Sequence, residues 1–77
     1  MWIYIQNKLF NLNNATNVFI TDKVWEDYEE KELGHWVLKI RFPGKNNIHS
    51  FKMNSKNEAQ EAFNTIHKSL VSVTTIK

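Results

Sequence analysis

WVLKIRFPGKNNIHSFKM, residues 36–53, decides the fold. Trp36, Leu38, Ile40 and Phe42 alternate with Val37, Lys39 and Arg41, the period of a half-buried antiparallel strand. Pro43-Gly44-Lys45-Asn46-Asn47 is a cluster of turn residues, and Ile48 to Met53 returns as a second strand. In that strand Phe51 and Met53 share a side with His49, while Ile48, Ser50 and Lys52 take the other. A slip of one residue would bury Lys52 and expose Phe51, so the register is constrained. The reading is a hairpin with one apolar side and one basic side. Function enters at the same place, because Lys39, Arg41, Lys45 and Lys52 occur here without a single acid. They make either a surface for an anionic partner or the solvated back of a hairpin.

The chain has 77 residues and no cysteine, so one domain must hold without a disulfide or a thiolate metal site. Burial in a domain this small is only just sufficient. Three Trp, five Phe and two Tyr supply the large side chains that a small core needs. No apolar run approaches the ~20 residues of a membrane-spanning helix. The opening MWIYIQNKLF has no basic region followed by an apolar stretch and a cleavage site, and reads as a strand. The expectation is a cytoplasmic protein with no membrane partner.

The formal charge is only +2, but it is unevenly spread. Asp22, Glu26, Asp27, Glu29, Glu30 and Glu32 hold six of the eight acids, whereas residues 33–57 carry five basic residues and none. Such asymmetry bears on partners and orientation rather than on fold.

Working outward, residues 2–6 alternate with apolar or aromatic groups on both sides, so this strand is covered twice or meets a neighbour. Asn7-Lys8 is the expected tight turn before Leu9 to Leu12, and Asn13 to Thr16 carries further turn chemistry. Asn17 to Trp25 is rich in β-branched and aromatic residues. Val18, Ile20 and Val24 are expected on one side of it; Phe19, Thr21, Lys23 and Trp25 on the other. Residues 26–33 fit either a helical spacing or an acidic hairpin tip, and Gly34 just before the next strand favours the hairpin.

The period then changes. Ala59, Ala62, Phe63, Ile66 and Leu70 form one apolar stripe on a helix. Ser55-Lys56-Asn57-Glu58 reads as a capping box, with the Ser55 oxygen on the Glu58 amide and the Glu58 side chain on the Ser55 amide. Val71 to Ile76 has strand character and is either a frayed tail or a short terminal strand. The fold class is therefore α+β: an antiparallel sheet of four to six strands with one C-terminal helix packed on it.

WIYIQNKLFNLNNATNVFI at one end, with Glu58-Ala59, Glu61-Ala62-Phe63 and Ile66 at the other, resembles short bacterial and phage proteins. Their layout of meandering strands closed by a helix is similar to a small pleckstrin-homology-like fold. The resemblance rests on core and cap residues and carries no catalytic residue with it.

The chemistry sought in the sequence points to no enzyme. No Ser lies in a Gly-flanked elbow, and Ser50 and His49 belong to opposite sides of one strand. His35, His49 and His67 lack zinc-ligand spacing, and the acidic cluster lacks a calcium-loop pattern. No cofactor or metal is expected. The expectation is a small non-enzymatic module that binds a protein partner, by analogy an inhibitor of a host enzyme or a sponge for a small anionic ligand. The alternative is a weak nucleic-acid binder that uses Lys39, Arg41, Lys45 and Lys52, although stacking aromatics among them are not visible in the sequence. The double-sided first strand and the strand-like tail also suggest a homo-oligomer.

Overall fold

A computed structural model describes residues 1–70. The chain order is β1 (Trp2–Ile5), β2 (Lys8–Asn11), a 3₁₀ turn (Leu12–Asn14), β3 (Asn17–Glu26), β4 (Glu29–Arg41), β5 (Ile48–Met53) and α1 (Lys56–Ser69). The architecture is α+β, with five antiparallel strands divided between a two-stranded sheet, β1-β2, and a three-stranded sheet, β3-β4-β5. The segment from Val71 to Ile76, expected as strand or tail, lies outside the described residues.

Strand β4 organises the rest. Its inner residues Leu38 and Ile40 are 0% exposed and stand opposite Ile20 and Val18 of β3 and Phe51 and His49 of β5. Helix α1 lays Ala59 and Ile66 on this surface, and the half-buried Ala62, Phe63 and Leu70 extend the contact. The β1-β2 hairpin contributes Phe10, whose ring lies 5.4 Å from Phe51, 4.8 Å from His49 and 6.0 Å from Phe42 between centroids. The contacts with His49 and Phe51 are edge-on and that with Phe42 is stacked, and aromatic pairs of either kind add about 0.5–1.5 kcal/mol each beyond the area they bury. Phe10, Leu12 and the helix stripe therefore belong to one core.

The helix begins as its sequence predicts: Ser55 Oγ accepts from the Glu58 amide at 3.1 Å. The second half of the box differs. The Glu58 carboxylate accepts from the Asn54 amide at 3.3 Å, one residue before the expected donor. A free amide still gains a partner at the helix entry.

The first turn also differs. Gln6 and Asn7, not Asn7 and Lys8, link β1 to β2, with φ of 47° and 68°. Two successive positive φ values give the turn whose twist matches a hairpin. Gln6 is a poor residue for such a backbone, but its side-chain amide donates to the Lys52 carbonyl at 3.0 Å and ties the turn to β5.

The acidic segment is a hairpin tip, with β3 and β4 paired out to Glu26 and Glu29. The turn residues Asp27 and Tyr28 have φ of 50° and 64°. A left-handed backbone is costly for a tyrosine, and at 94% exposure Tyr28 gains no packing in return. A bulge interrupts the ladder between Thr21 and Lys23. On β4 the segment from Leu33 to Trp36 lies opposite Asp22 alone, and Gly34, expected to precede the strand, sits inside it with φ of +80°. Val24, expected beside Val18 and Ile20, lies past the bulge and lines a cleft with Phe19 and Lys39.

Ile66→Ala should cost about 2–5 kcal/mol through lost transfer and a residual cavity. Ser55→Ala should cost only about 1 kcal/mol through the lost cap. Urea melts of both variants check the ranking, and equal small losses would remove the helix from the core. Tyr28→Gly should unfold at the same or a higher temperature than wild type, since glycine relieves the left-handed strain and no contact is lost.

Candidate functional site

Among the described residues the helix and the β1-β2 hairpin cover only one face of the three-stranded sheet. On the other face the registers place Asn17, Arg41 and Ile48 in one row, Phe19, Lys39 and Ser50 in the next, and Thr21, Val37 and Lys52 in the third. Lys39, Arg41 and Lys52 are thus brought together, as their phase in the strands requires. Lys45 stands apart in the β4–β5 turn at the end of this sheet. Lys56, the fifth basic residue of the acid-free stretch, belongs to the helix side, where its ammonium sits 5.4 Å from the centre of the Trp36 ring.

The cations of this face are not neutralised. Among the described residues the only carboxylate–ammonium pairs join Lys31 to Asp27 at 3.6 Å and to Glu29 at 3.7 Å, at the far hairpin tip. Lys23, Lys39, Arg41 and Lys52 have no such partner within 4.0 Å among those residues. Val37 is nevertheless 5% exposed on this outer face, between Thr21 and Lys52 in the ladders. Long lysine stems screen an apolar neighbour from water while leaving their charges in it.

Phe19 is the residue that joins two features separated in the sequence. It is the cross-strand partner of Lys39, and with Thr21, Lys23, Trp25 and Glu30 it lines a shallow cleft of about 230 Å³. Trp25 is 69% exposed there. Aromatic groups therefore do accompany the basic ones, on the neighbouring strand rather than between them along the chain. The period of β3 alone puts Phe19 and Trp25 on one side; only the β3–β4 register shows that Phe19 stands opposite Lys39, and the cleft brings Trp25 to both.

A second open surface lies at β1. The turn at Gln6-Asn7 makes Ile5 and Lys8 a hydrogen-bonded pair, and the Leu12 amide donates to the Met1 carbonyl at 2.8 Å. By alternation Ile3 also bonds to β2, whereas the main-chain groups of Trp2 and Tyr4 point away from it. No hydrogen bond among the described residues uses them. Between this edge and α1 runs a groove of about 420 Å³ lined by Ile3, Tyr4, Ile5, Glu58, Glu61 and Ala62, among others. On the outer side of the hairpin Trp2, Tyr4 and Leu9 are each about two-thirds exposed.

The other sequence candidates are dispersed. His49 packs against Phe10 and Phe42, with ring centroids at 4.8 and 5.6 Å, and Ser50 points to the opposite face. His35 lies at the bulge with Asp22 and Glu32 around a small niche. Among the described residues no three histidines or carboxylates are placed to hold a metal ion. None of their helices is long and apolar enough to cross a membrane.

Trp25→Ala should leave the melting temperature nearly unchanged, whereas Val37→Ala on the same face should cost about 1–2 kcal/mol, two buried carbons at roughly 0.8 kcal/mol each. Thermal melts of the two variants establish which outer-face residues are structural and which are available to a ligand.

Comparison of the chain with protein families, with curated proteins and with solved structures finds no match.

Proposed function

We propose that the protein is a non-enzymatic binding module that engages a protein partner by strand addition at the free edge of β1. The observation that carries this reading is that the outward donors and acceptors of Trp2 and Tyr4 are unused among the described residues, beside exposed aromatic side chains and a groove. An extended segment from a partner satisfies such an edge with main-chain hydrogen bonds, and flanking pockets select alternate side chains. At the β5 edge, by contrast, the Gln6 side chain occupies the Lys52 carbonyl. Glu58 and Glu61 on the helix wall make a basic side chain the favoured occupant of the groove. Inhibition of an enzyme fits this mode, since a small module that adds a strand need bring no chemistry of its own. The likeness to short bacterial and phage proteins of pleckstrin-homology-like layout, and a cytoplasmic setting, belong to the same proposal.

Tyr4→Pro tests it. Proline removes the outward amide at position 4 and leaves the inward bonds of Ile3 and Ile5 to β2, so the hairpin survives. Tagged wild-type protein in extract of its source cell should retain a partner that the Tyr4→Pro variant loses, at an unchanged melting temperature. Retention by both variants would contradict edge pairing. If the wild type alone self-associates in light scattering, the added strand comes from a second copy of the chain.

A further inference from the structure

We infer that the outer face of the β3-β4-β5 sheet binds single-stranded nucleic acid, independently of the β1 edge. Lys39, Arg41 and Lys52 lie in adjacent rows of the ladders, without a carboxylate partner among the described residues, and Lys45 extends them at the turn. Phosphates are the complement of such a row of cations, and binding releases the counterions condensed on the strand. Charge alone does not distinguish one polyanion from another. Phe19 and Trp25 do, because they line one cleft with Lys39 and Trp25 is 69% exposed. Aromatic side chains beside a basic track hold unstacked bases by their ring faces, which every base possesses. Duplex bases are already stacked on one another, and the one two-stranded ribbon that runs on past β5, Lys23–Glu26 with Glu29–Glu32, is acidic and unsuited to a groove. The geometry therefore favours single strands.

The footprint is bounded. Glu30 lines the cleft beside Trp25, and Glu32 is the cross-strand partner of Lys23. These carboxylates repel phosphate at the hairpin end. The backbone consequently follows Lys52, Lys39 and Arg41 toward Lys45, and a base reaches Trp25 from that side. Sequence preference is weak, because stacking and phosphate contacts read no base edge.

The test is a fluorescence titration of labelled dT and rU 12-mers and of a 12-base-pair duplex, at 50 and 200 mM salt. With three or four phosphate contacts and a slope of about −0.7 per contact, single-strand affinity should fall about 20- to 50-fold over that range. The variant with Lys39, Arg41 and Lys52 all changed to Ser should bind more weakly and with a flatter slope. Arg41→Ser, at an exposed position, should show the same trend in smaller measure. Trp25→Ala should lower affinity about 5- to 150-fold, the contribution of one stacked base. Glu30→Gln should raise affinity. Tyr4→Pro should leave binding intact, which separates this site from the β1 edge. Melting curves of each variant exclude unfolding as the cause of any loss. Absence of binding at 50 mM salt, tighter binding of the duplex, or affinity indifferent to Trp25 would each overturn the inference.

Discussion

Everything in this structure depends on the alternation along β4. Leu38 and Ile40 point inward at 0% exposure, and each such side chain contributes about 1.5–3 kcal/mol when removed from water. With residues 38 and 40 buried, a pleated strand must turn Lys39 and Arg41 to the other side. Reversing the strand would bury two charges without partners, at a cost beyond what a domain of this size tolerates. The apolar core and the basic face are therefore two results of a single choice of phase.

The inner face is closed by two unlike parts. Helix α1 brings Ala59, Ile66 and its half-buried flanks, and the short β1-β2 hairpin brings Phe10 into the ring cluster with Phe42, His49 and Phe51. A two-stranded hairpin is barely stable alone, so this docking is what orders it. Among the described residues the same arrangement leaves the β1 edge unpaired and facing a groove, and no described element covers the opposite face of the large sheet. The two open surfaces lie on different layers, one apolar with acidic walls and the other basic with aromatic neighbours. They suit different ligands, and neither requires the other.

Much of this was legible from residues alone. The β4 and β5 phases, the Ser55 cap and the stripe from Ala59 to Leu70 all follow from local periodicity and turn chemistry, whereas residues 26–33 fit a helical turn as well as the hairpin tip they form. What was not legible rests on tertiary partners. Gln6 takes a left-handed backbone while its side chain is held by the Lys52 carbonyl of a distant strand. Leu33 to Trp36 of β4 lie opposite Asp22 alone, and Val24, past this bulge, does not join the core that Val18 and Ile20 pack against. The division of five strands into two sheets has no periodic signature, because alternation shows which side chains share a face and not which strands share a ladder. For the same reason Lys39, Arg41 and Lys52 were grouped from the sequence, whereas Phe19 joins them only through its register with Lys39.

Among the described residues the inner face is closed while the β1 edge is open. Residue-resolved amide hydrogen exchange on dilute protein alone tests it most directly, because exchange reports the pairing of each main-chain amide. The account predicts alternation along β1, with Ile3 and Ile5 protected and Trp2 and Tyr4 exchanging freely, alongside strong protection throughout residues 37–41. Protection of Tyr4 equal to that of Ile5 would contradict it, for the edge would then already be paired.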